Sequence, residues 1–496
     1  MPVRTPREGG SVPAAPDRID PAVRRLAATV VVGALAVVFD TTVVTVALGD
    51  LAARLDAPLA TVQWVSTAYL LAVFATLPLA GWAQARFGGR RLWLAALGAF
   101  LLGSVLCALA WSAASLIAFR VVQGVGGGIM MPLMVTLVVQ AAEGRAVGRV
   151  IAAVTLPTAL GPILGPFLGG LVLAVADWRW IFLVNVPFCL VGGLLALRNL
   201  PDDRPPAGRP RPRLDLPGLL LLSPGVAALL YGLSRAGDEA GSGSWAAGAL
   251  LPLLAGLALL GGFVARALRR TGSLIDLRLL RHRALASASA LGFLGGAALY
   301  GAMLLLPLYW QQARGQSALG AGMLLVPQGV GALLARTRAG RYTDRVGPRR
   351  VACAGFALAV AGTLPFALAT PGTGTGWLLA ALLVRGLGLG AAMVPLNSAA
   401  YAGLAREEIP DASVITRVAQ QLGGSVGTAA LAVVLQRATE GARTPAALAA
   451  GYGVAFWWAL ALTAAAIPLC LLLPGRGLSG PRPRTPAQRT PPAPSR

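Results

Sequence analysis

Long apolar stretches recur along almost the whole chain, and this feature limits the possible folds more than any other. One stretch, Ala246 to Val264, contains only apolar residues, glycine and proline. A helix needs about 20 mostly apolar residues to cross the hydrocarbon core of a bilayer. The stretches do not alternate apolar and polar residues as the strands of membrane β-barrels do. The sequence therefore predicts an all-α polytopic membrane protein.

Fourteen spans are predicted, grouped as six, two and six. They lie near residues 26–48, 62–82, 92–111, 115–140, 148–174, 180–198, 214–234, 246–266, 285–310, 318–337, 351–370, 377–400, 413–436 and 447–473. We expect a first six-helix bundle over 26–198 and a second over 285–474. Cytoplasmic linkers and two inserted transmembrane helices occupy 199–284. The Pro- and Arg-rich segments 1–25 and 475–496 are predicted to be disordered cytoplasmic tails.

The distribution of charge supports this topology. Only 12% of the residues are charged, whereas soluble domains carry about 25%. The net charge of +23 alone would suit a nucleic-acid-binding protein, but all 42 basic residues are arginines and most fall on one side of the predicted membrane. The opposite loops contain only Arg54, Arg179, Arg235, Arg314, Arg437 and Arg443. An excess of basic residues marks cytoplasmic loops, so we expect a bacterial plasma-membrane protein with both termini cytoplasmic and no nucleic-acid partner.

The two six-helix blocks repeat each other. Each has a loop rich in Gly and Arg after its second span, at Gly81–Arg91 and Gly340–Arg350. Each also has an arginine before a Gly-rich run in its fourth span, at Arg120 and Arg385. Internal repeats of this size are typical of secondary transporters, which place the substrate near the membrane midplane between the repeats.

These motifs, in this order, resemble those of the major facilitator superfamily, and within it the fourteen-helix drug:proton antiporter branch. Asp177–Pro187 is similar to the start of the family's sixth span, and Asp40–Leu48, Trp64–Leu71 and Gln421–Gly427 match other segments. The resemblance assigns conformational gating to residues of the two repeated loops, although Ala85 stands where the family has an aspartate. The gating residues are Gly81, Arg86, Gly88, Arg90, Gly340, Asp344, Arg345, Gly347 and Arg349.

The predicted fifth span is similar to the motif associated with antiporters. Glycines spaced at four place small residues on one helix face, which permits close helix packing, and the prolines permit bending. We expect this helix to bend or rock during transport, although generic helix packing would explain the spacing too. The residues are Gly161, Pro162, Gly165, Pro166, Gly169 and Gly170.

Asp40 is the one acidic residue predicted well inside a span. A charge there costs roughly 2.5–3.5 kcal/mol on insertion scales, so the side chain should face a partner or a cavity. We predict that Asp40 couples protons, meets a cationic substrate, or does both in turn; solvation near a helix end is the alternative. The resemblance gives Arg120 a role in proton coupling with Asp40, with structural hydrogen bonding as the alternative. For Arg385, which lacks an evident acidic partner, a structural role is favoured.

Polar, aromatic and Met side chains of several spans are candidates for the substrate cavity. Met side chains can repack around varied ligands, and aromatic rings can hold cations, but each residue could equally serve helix packing. The candidates are Trp64, Tyr69, Gln123, Met134, Phe293, Tyr300, Met303, Gln328 and Asn397. Leu274–Arg283 is predicted to be a short amphipathic helix on the inner membrane surface.

Together these features predict a proton-coupled exporter, an antiporter of drugs, antibiotics or other small amphipathic molecules, with a cationic substrate as one option. An exporter of an envelope lipid or endogenous metabolite is the alternative within transporters. A non-transporting receptor or scaffold is the alternative from another class. The sequence has no nucleotide-binding loop, metal-ligand cluster or nucleophile–base pair. We therefore expect no enzyme activity, no cofactor or metal, the proton gradient as energy source, and a monomer in the lipid bilayer.

Overall fold

The computed structural model describes residues 20–142, 147–155, 169, 171–173, 175–202, 214–239, 247–270, 273–442 and 444–475. The regular structure of these residues is helical, without β-strands. The first bundle contains α1 (Pro21–Arg54), α2 (Leu59–Thr76), α3 (Leu79–Phe87), α4 (Gly89–Ala108), α5 (Ala113–Ala142), α6 (Val147–Thr155), α7 (Trp180–Leu183) and α8 (Asn185–Asn199).

Two helices follow, and then the second bundle. The inserted helices are α9 (Leu216–Glu239) and α10 (Ala247–Arg269), followed by a 3₁₀ turn at Leu277–Arg281. The second bundle contains α11 (Arg283–Leu308, continued by a π-helical turn at Tyr309–Ala313), α12 (Ala318–Leu324), α13 (Val326–Val346), α14 (Pro348–Ala367), α15 (Thr375–Ala400), α16 (Ile409–Thr439), α17 (Pro445–Ala464) and α18 (Ala466–Leu469, continued by a 3₁₀ turn at Cys470–Leu472).

Eleven of the described helices, or helix pairs, are long and apolar enough to span a membrane, and α2 with α3 makes up to twelve. The α2–α3 pair bends by 56°, at Pro78, because proline cannot donate the helical hydrogen bond. Most of the predicted span 148–174 lies outside the described residues. The predicted span 318–337 is not among the twelve because α13, to which it leads, carries four arginines in its second half.

Local sequence explains where the helices begin and end. The Asp20 carboxylate caps α1 by accepting from the backbone N–H of Ala22 at 2.7 Å. Gly88 and Gly347 occupy the same place in the two bundles, between the second and third spans, with φ of 83° and 91°. This left-handed conformation favours glycine. The repeated loops therefore share a backbone turn as well as a sequence pattern.

The two bundles contact each other near one end of the molecule. We call the end at which α1 begins and the last helical turn ends the terminal face, and the other end the opposite face. Among the described residues, all side-chain hydrogen bonds between the bundles lie toward the terminal face; they join Thr136 to Ser413, Gln140 to Arg406, and Gly148 and Arg149 to Asp344. The described halves are therefore held closed at the terminal face.

The inserted helices lie against this two-bundle body. Helix α9 packs on α10 and also contacts α2 of the first bundle and α16 of the second. Trp64 and Tyr231 stack where α9 meets α2, with ring centroids 5.7 Å apart. Helix α10 has many exposed leucines, as expected for a helix facing lipid.

Candidate functional site

Asp40 and Arg120 form an ion pair in the interior of the first bundle. Asp40 lies on α1 and Arg120 on α5, with Arg120 Nη1 2.6 Å from Asp40 Oδ2. Both side chains are buried, at 0% and 1% exposure. Such burial is costly for either charge alone and tolerable for a well hydrogen-bonded pair. The structure thus brings together the two residues predicted for proton coupling.

Amide and hydroxyl groups from three helices complete the surroundings of the Asp40 carboxylate. Gln123 Nε2 donates to Asp40 Oδ1 at 2.9 Å and to Ser104 Oγ at 2.8 Å. Asn185 Nδ2, at the start of α8, also donates to Asp40 Oδ1 at 3.1 Å. Charge-assisted hydrogen bonds of this kind are stronger than neutral ones. Three donor side chains, Arg120, Gln123 and Asn185, therefore converge on the Asp40 carboxylate.

The Arg120 guanidinium is fixed from several directions. Nε donates to the Val65 carbonyl of α2 at 3.0 Å, and Nη1 donates to Gln123 Oε1 at 2.5 Å. The Tyr69 ring lies 4.0 Å from the guanidinium carbon, within cation–π range. The Tyr69 hydroxyl is buried and has no hydrogen-bond partner among the described residues.

Asn185 and Ser104 were not predicted as site residues. Asn185 belongs to the Asp177–Pro187 segment that resembles the family, so this motif could have indicated Asn185 as a site residue. Ser104 carries no such signal, since a serine within an apolar helix usually bonds to its own backbone. Only packing of α4 against α5 brings Ser104 to the Asp40 cluster.

The second bundle has an arginine at the equivalent place but no acid beside it. Arg385 of α15 is buried and donates to Thr363 Oγ1, Gln328 Oε1 and the Ala298 carbonyl, at 3.2, 2.7 and 2.8 Å. No described carboxylate forms an ion pair with it. Through these neutral acceptors Arg385 ties α11, α13 and α14 to α15. The two halves of the repeat are therefore chemically different.

The gating residues of the second loop meet the first bundle. Asp344 accepts from the backbone N–H of Gly148 at 3.2 Å and from Arg149 Nε at 3.1 Å. Gly340 approaches so closely that a β-carbon there would lie 2.8 Å from Cα of Arg149. Arg345 and Arg349 are exposed and make no described ion pair. Asp344 therefore joins the two bundles at the terminal face.

The first loop is arranged differently. A β-carbon on Gly81 would lie 3.0 Å from Asp411 Oδ1 of α16, and Ala85 is exposed. Arg90 Nη2 donates to the Leu197 carbonyl of its own bundle at 2.6 Å, and Arg86 lies over the rings of Trp82 and Phe87.

Most of the predicted fifth-span motif, Gly161, Pro162, Gly165, Pro166 and Gly170, also lies outside the described residues. Gly169 is described, and a β-carbon there would lie 3.2 Å from the Val43 carbonyl of α1. Gly169 thus packs closely against the helix that carries Asp40.

The nine predicted cavity residues do not converge on one described cavity. Tyr69 and Gln123 join the Asp40 cluster, Gln328 binds Arg385, and the ring of Tyr300 lies against Gly424. Asn397 borders a small cleft with Met393 and Gln420, and the Phe293 carbonyl packs against Gly423. Met134 is buried in the first bundle's core, Trp64 stacks on the inserted helix, and Met303 is 43% exposed.

Comparison with known proteins agrees with this arrangement. The Major Facilitator Superfamily model matches residues 30–428. A Mycobacterium tuberculosis protein described as a multidrug resistance protein B homolog is 41% identical over 424 residues, covering 85% of this chain and 77% of that protein. The Bacillus subtilis lincomycin resistance protein LmrB is 28% identical over 437 residues, covering 85% and 90%.

Solved structures show the same fold at low identity. The human organic anion transporter MFSD10 superposes with a TM-score of 0.63 at 18% identity, over 91% of this chain and 100% of that one. The proton:xylose symporter XylE gives a TM-score of 0.60 at 16% identity, over 90% and 96%. The predicted resemblance and the all-helical fold are confirmed: the chain belongs to the Major Facilitator Superfamily and is a multi-pass membrane transporter.

Proposed function

We propose that this transporter exports small amphipathic drugs or antibiotics in exchange for protons. The single observation that carries this proposal is the fully buried Asp40–Arg120 pair, with Gln123, Asn185 and Ser104 around it. A buried acid within a span is a functional candidate by default. Curated relatives named for multidrug and lincomycin resistance support the choice of export and of substrate class.

Proton binding to Asp40 is the proposed chemical event. Protonation removes the charge that Arg120 neutralises, so Arg120 loses its ion pair and keeps only neutral acceptors. The buried guanidinium is then uncompensated, which destabilises this arrangement by several kcal/mol. The helices α1 and α5 would separate or readmit water. A substrate, cationic or neutral, that favours one state of Asp40 is thereby exchanged for the proton.

The proposed orientation follows the positive-inside rule. The terminal face is cytoplasmic, the membrane is the bacterial plasma membrane, and the structure is outward-facing because the described bundles meet toward the terminal face. We further propose fourteen spans, which add 148–174 and the arginine-bearing α13 to the twelve. A monomer with no cofactor and with the proton gradient as energy source suffices for this mechanism.

The test uses purified protein in liposomes with a pH gradient and an internal pH dye. Cationic dyes and a panel of antibiotics are added to wild type and to Asp40→Asn. Asp50→Asn is the matched control, because Asp50 lies on the same helix at 37% side-chain exposure with only an i,i+4 ion pair to Arg54. We expect substrate-driven proton release from wild type and Asp50→Asn, and none from Asp40→Asn.

Other outcomes would redirect the proposal. Substrate transport that keeps its proton dependence in Asp40→Asn would move the coupling site elsewhere. Scrambling of labelled lipid without a response to any drug would favour the envelope-lipid exporter.

A further inference from the structure

Asp411 is a second carboxylate that is partly buried, in the seam between the bundles at the terminal face. It lies in the first turn of α16, with Oδ1 facing Gly81 of the first repeated loop. Beside it, Ser413 accepts from Thr136 of α5 at 3.1 Å. When the bundles separate at this face, Asp411 loses the Gly81 surface and gains water. Its surroundings therefore depend on the transporter's conformation.

A segment between the inserted helices and the second bundle covers Asp411 from another side. We call residues 273–282 the strap. The strap's Asp276 N–H donates to Asp411 Oδ2 at 3.0 Å, and Leu274 and Leu279 are buried. The strap is anchored by Asp215, which accepts from Leu274 N–H at 3.3 Å and from Arg266 Nη2 at 2.6 Å.

The charges that face Asp411 are of its own sign. Asp276 on the strap and Glu408 on the preceding turn are its nearby charged groups, and both are acidic. On α3, Arg86 stacks over Trp82 and Phe87, and α5 contributes the neutral Gln140 and Thr136. No described arginine lies within ion-pair distance of Asp411. Asp344, in the second repeated loop, has Arg149 beside it.

We propose that Asp411 is a second proton-binding site of the transporter, and that protonation of its carboxyl closes the terminal face. Partial burial with no cation beside it disfavours the ionised form of Asp411, and the neighbouring acids disfavour that form further. In the state with separated bundles, water reaches the Asp411 carboxylate. The closed state thus binds the proton more tightly, and by linkage a bound proton favours closure. This inference concerns the conformational equilibrium and stands whether or not Asp40 couples transport.

Ala85 fits this assignment. The first loop lacks an acid at that position, and the acid that meets the loop comes from α16 across the seam. The two repeated loops then use carboxylates with opposite effects. Asp344 pairs with Arg149 in its ionised form, whereas protonation favours the position of Asp411 against Gly81.

The experiment measures the distance across the terminal face by double electron–electron resonance spectroscopy. The protein is in nanodiscs and no substrate is present. Spin labels are placed at the exposed positions Arg91→Cys and Arg350→Cys, after the four native cysteines are replaced. Wild type, Asp411→Asn and Asp344→Asn are compared at pH 8 and pH 5. Asn keeps the oxygen that accepts from Asp276 N–H, so only the charge is removed from Asp411.

We expect Asp411→Asn to raise the closed-to-open ratio about tenfold at pH 8, as a one-unit difference in proton affinity between the states requires. At pH 5, where Asp411 of the wild type is itself protonated, the ratios of the variant and the wild type should approach each other. Asp344→Asn should lower the ratio at pH 8. The same comparison in an Asp40→Asn background should give the same gain, which separates this site from the proposed coupling site.

Two outcomes would overturn the proposal. A lower closed fraction in Asp411→Asn at pH 8 would mean that the carboxylate itself holds the seam. An equal gain at both pH values would mean that Asp411 does not titrate in this range.

Discussion

At the residue scale, the Asp40 cluster depends on shape as well as charge. Arg120 contacts Asp40, Gln123 and the Val65 carbonyl through a planar fork, with the Tyr69 ring over its face. A lysine would preserve the charge but has a single nitrogen and no planar group. Each lost charge-assisted hydrogen bond costs about 1.5–3 kcal/mol.

We therefore predict that Arg120→Lys lowers the substrate-driven proton flux by about tenfold or more. Loss of one such hydrogen bond is enough, because 1.4 kcal/mol corresponds to a factor of ten. Proteoliposome flux measures this directly. Arg437→Lys, at an exposed position near the end of α16, is the control and should transport as wild type. Unchanged flux in Arg120→Lys would show that charge alone is sufficient.

At the element scale, glycines allow the third and fourth spans of each bundle to touch. A β-carbon on Gly103 of α4 would lie 2.5 Å from Cα of Gln123, and one on Gly362 of α14 would lie 2.6 Å from Cα of Arg385. The same close approach thus positions a polar residue of the fourth span in both halves. Close contacts of this kind give helices in lipid much of their association energy.

Gly103→Ala should therefore destabilise the protein, because the new methyl meets backbone that cannot yield, and overpacking costs about 1–3 kcal/mol or more. Gly98→Ala on the same helix is the matched control, since nothing lies within 4 Å of its added β-carbon. We expect a lower thermal midpoint in detergent for Gly103→Ala alone. Equal midpoints for the two variants would contradict this account of the α4–α5 contact.

At the scale of the whole molecule, the strap ties the inserted helices to Asp411 in the seam between the bundles. Burial would raise the pKa of Asp215, but hydrogen bonds from Arg266, Gly218 and Leu274 outweigh it and hold the pKa below its usual value. A lowered pKa means that the stabilisation is present above the unfolded pKa of about 3.9 and is lost only as pH falls through the folded value. The Asp215 anchor should therefore be constant between pH 5 and pH 8.

Asp215→Asn should accordingly increase hydrogen exchange in the strap by a similar factor at both pH values, after correction for intrinsic rates. Mass spectrometry of peptides covering 273–282 provides the measurement, and Asp50→Asn should leave these peptides unchanged. A variant effect confined to pH 5 would contradict the sign of the Asp215 shift.

Sequence patterns predicted much of the fold and four of the six residues of the Asp40 cluster, namely Asp40, Arg120, Tyr69 and Gln123. Apolar length and arginine asymmetry indicated the helices, and the cost of a buried acid pointed to Asp40. The repeated motif and the family resemblance pointed to Arg120. Asn185, Ser104 and Asp411 were missed because their importance comes from neighbours distant in sequence. From the sequence alone, Asp411 is an acidic residue in the first turn of a helix, which is a common arrangement. Only the folded structure brings Gly81 and Asp276 against it.

Helix α9 touches α2 on one side and α16 on the other, and this has a consequence for how a compound can reach the interior. Two seams run between the bundles, one beside α2 and α16 and one beside α6 and α13. A hydrophobic compound that moved laterally from the bilayer toward the first seam would meet helix α9. Among the described residues, the inserted pair therefore covers one of the two seams from the side, and this breaks the near two-fold symmetry of the bundles.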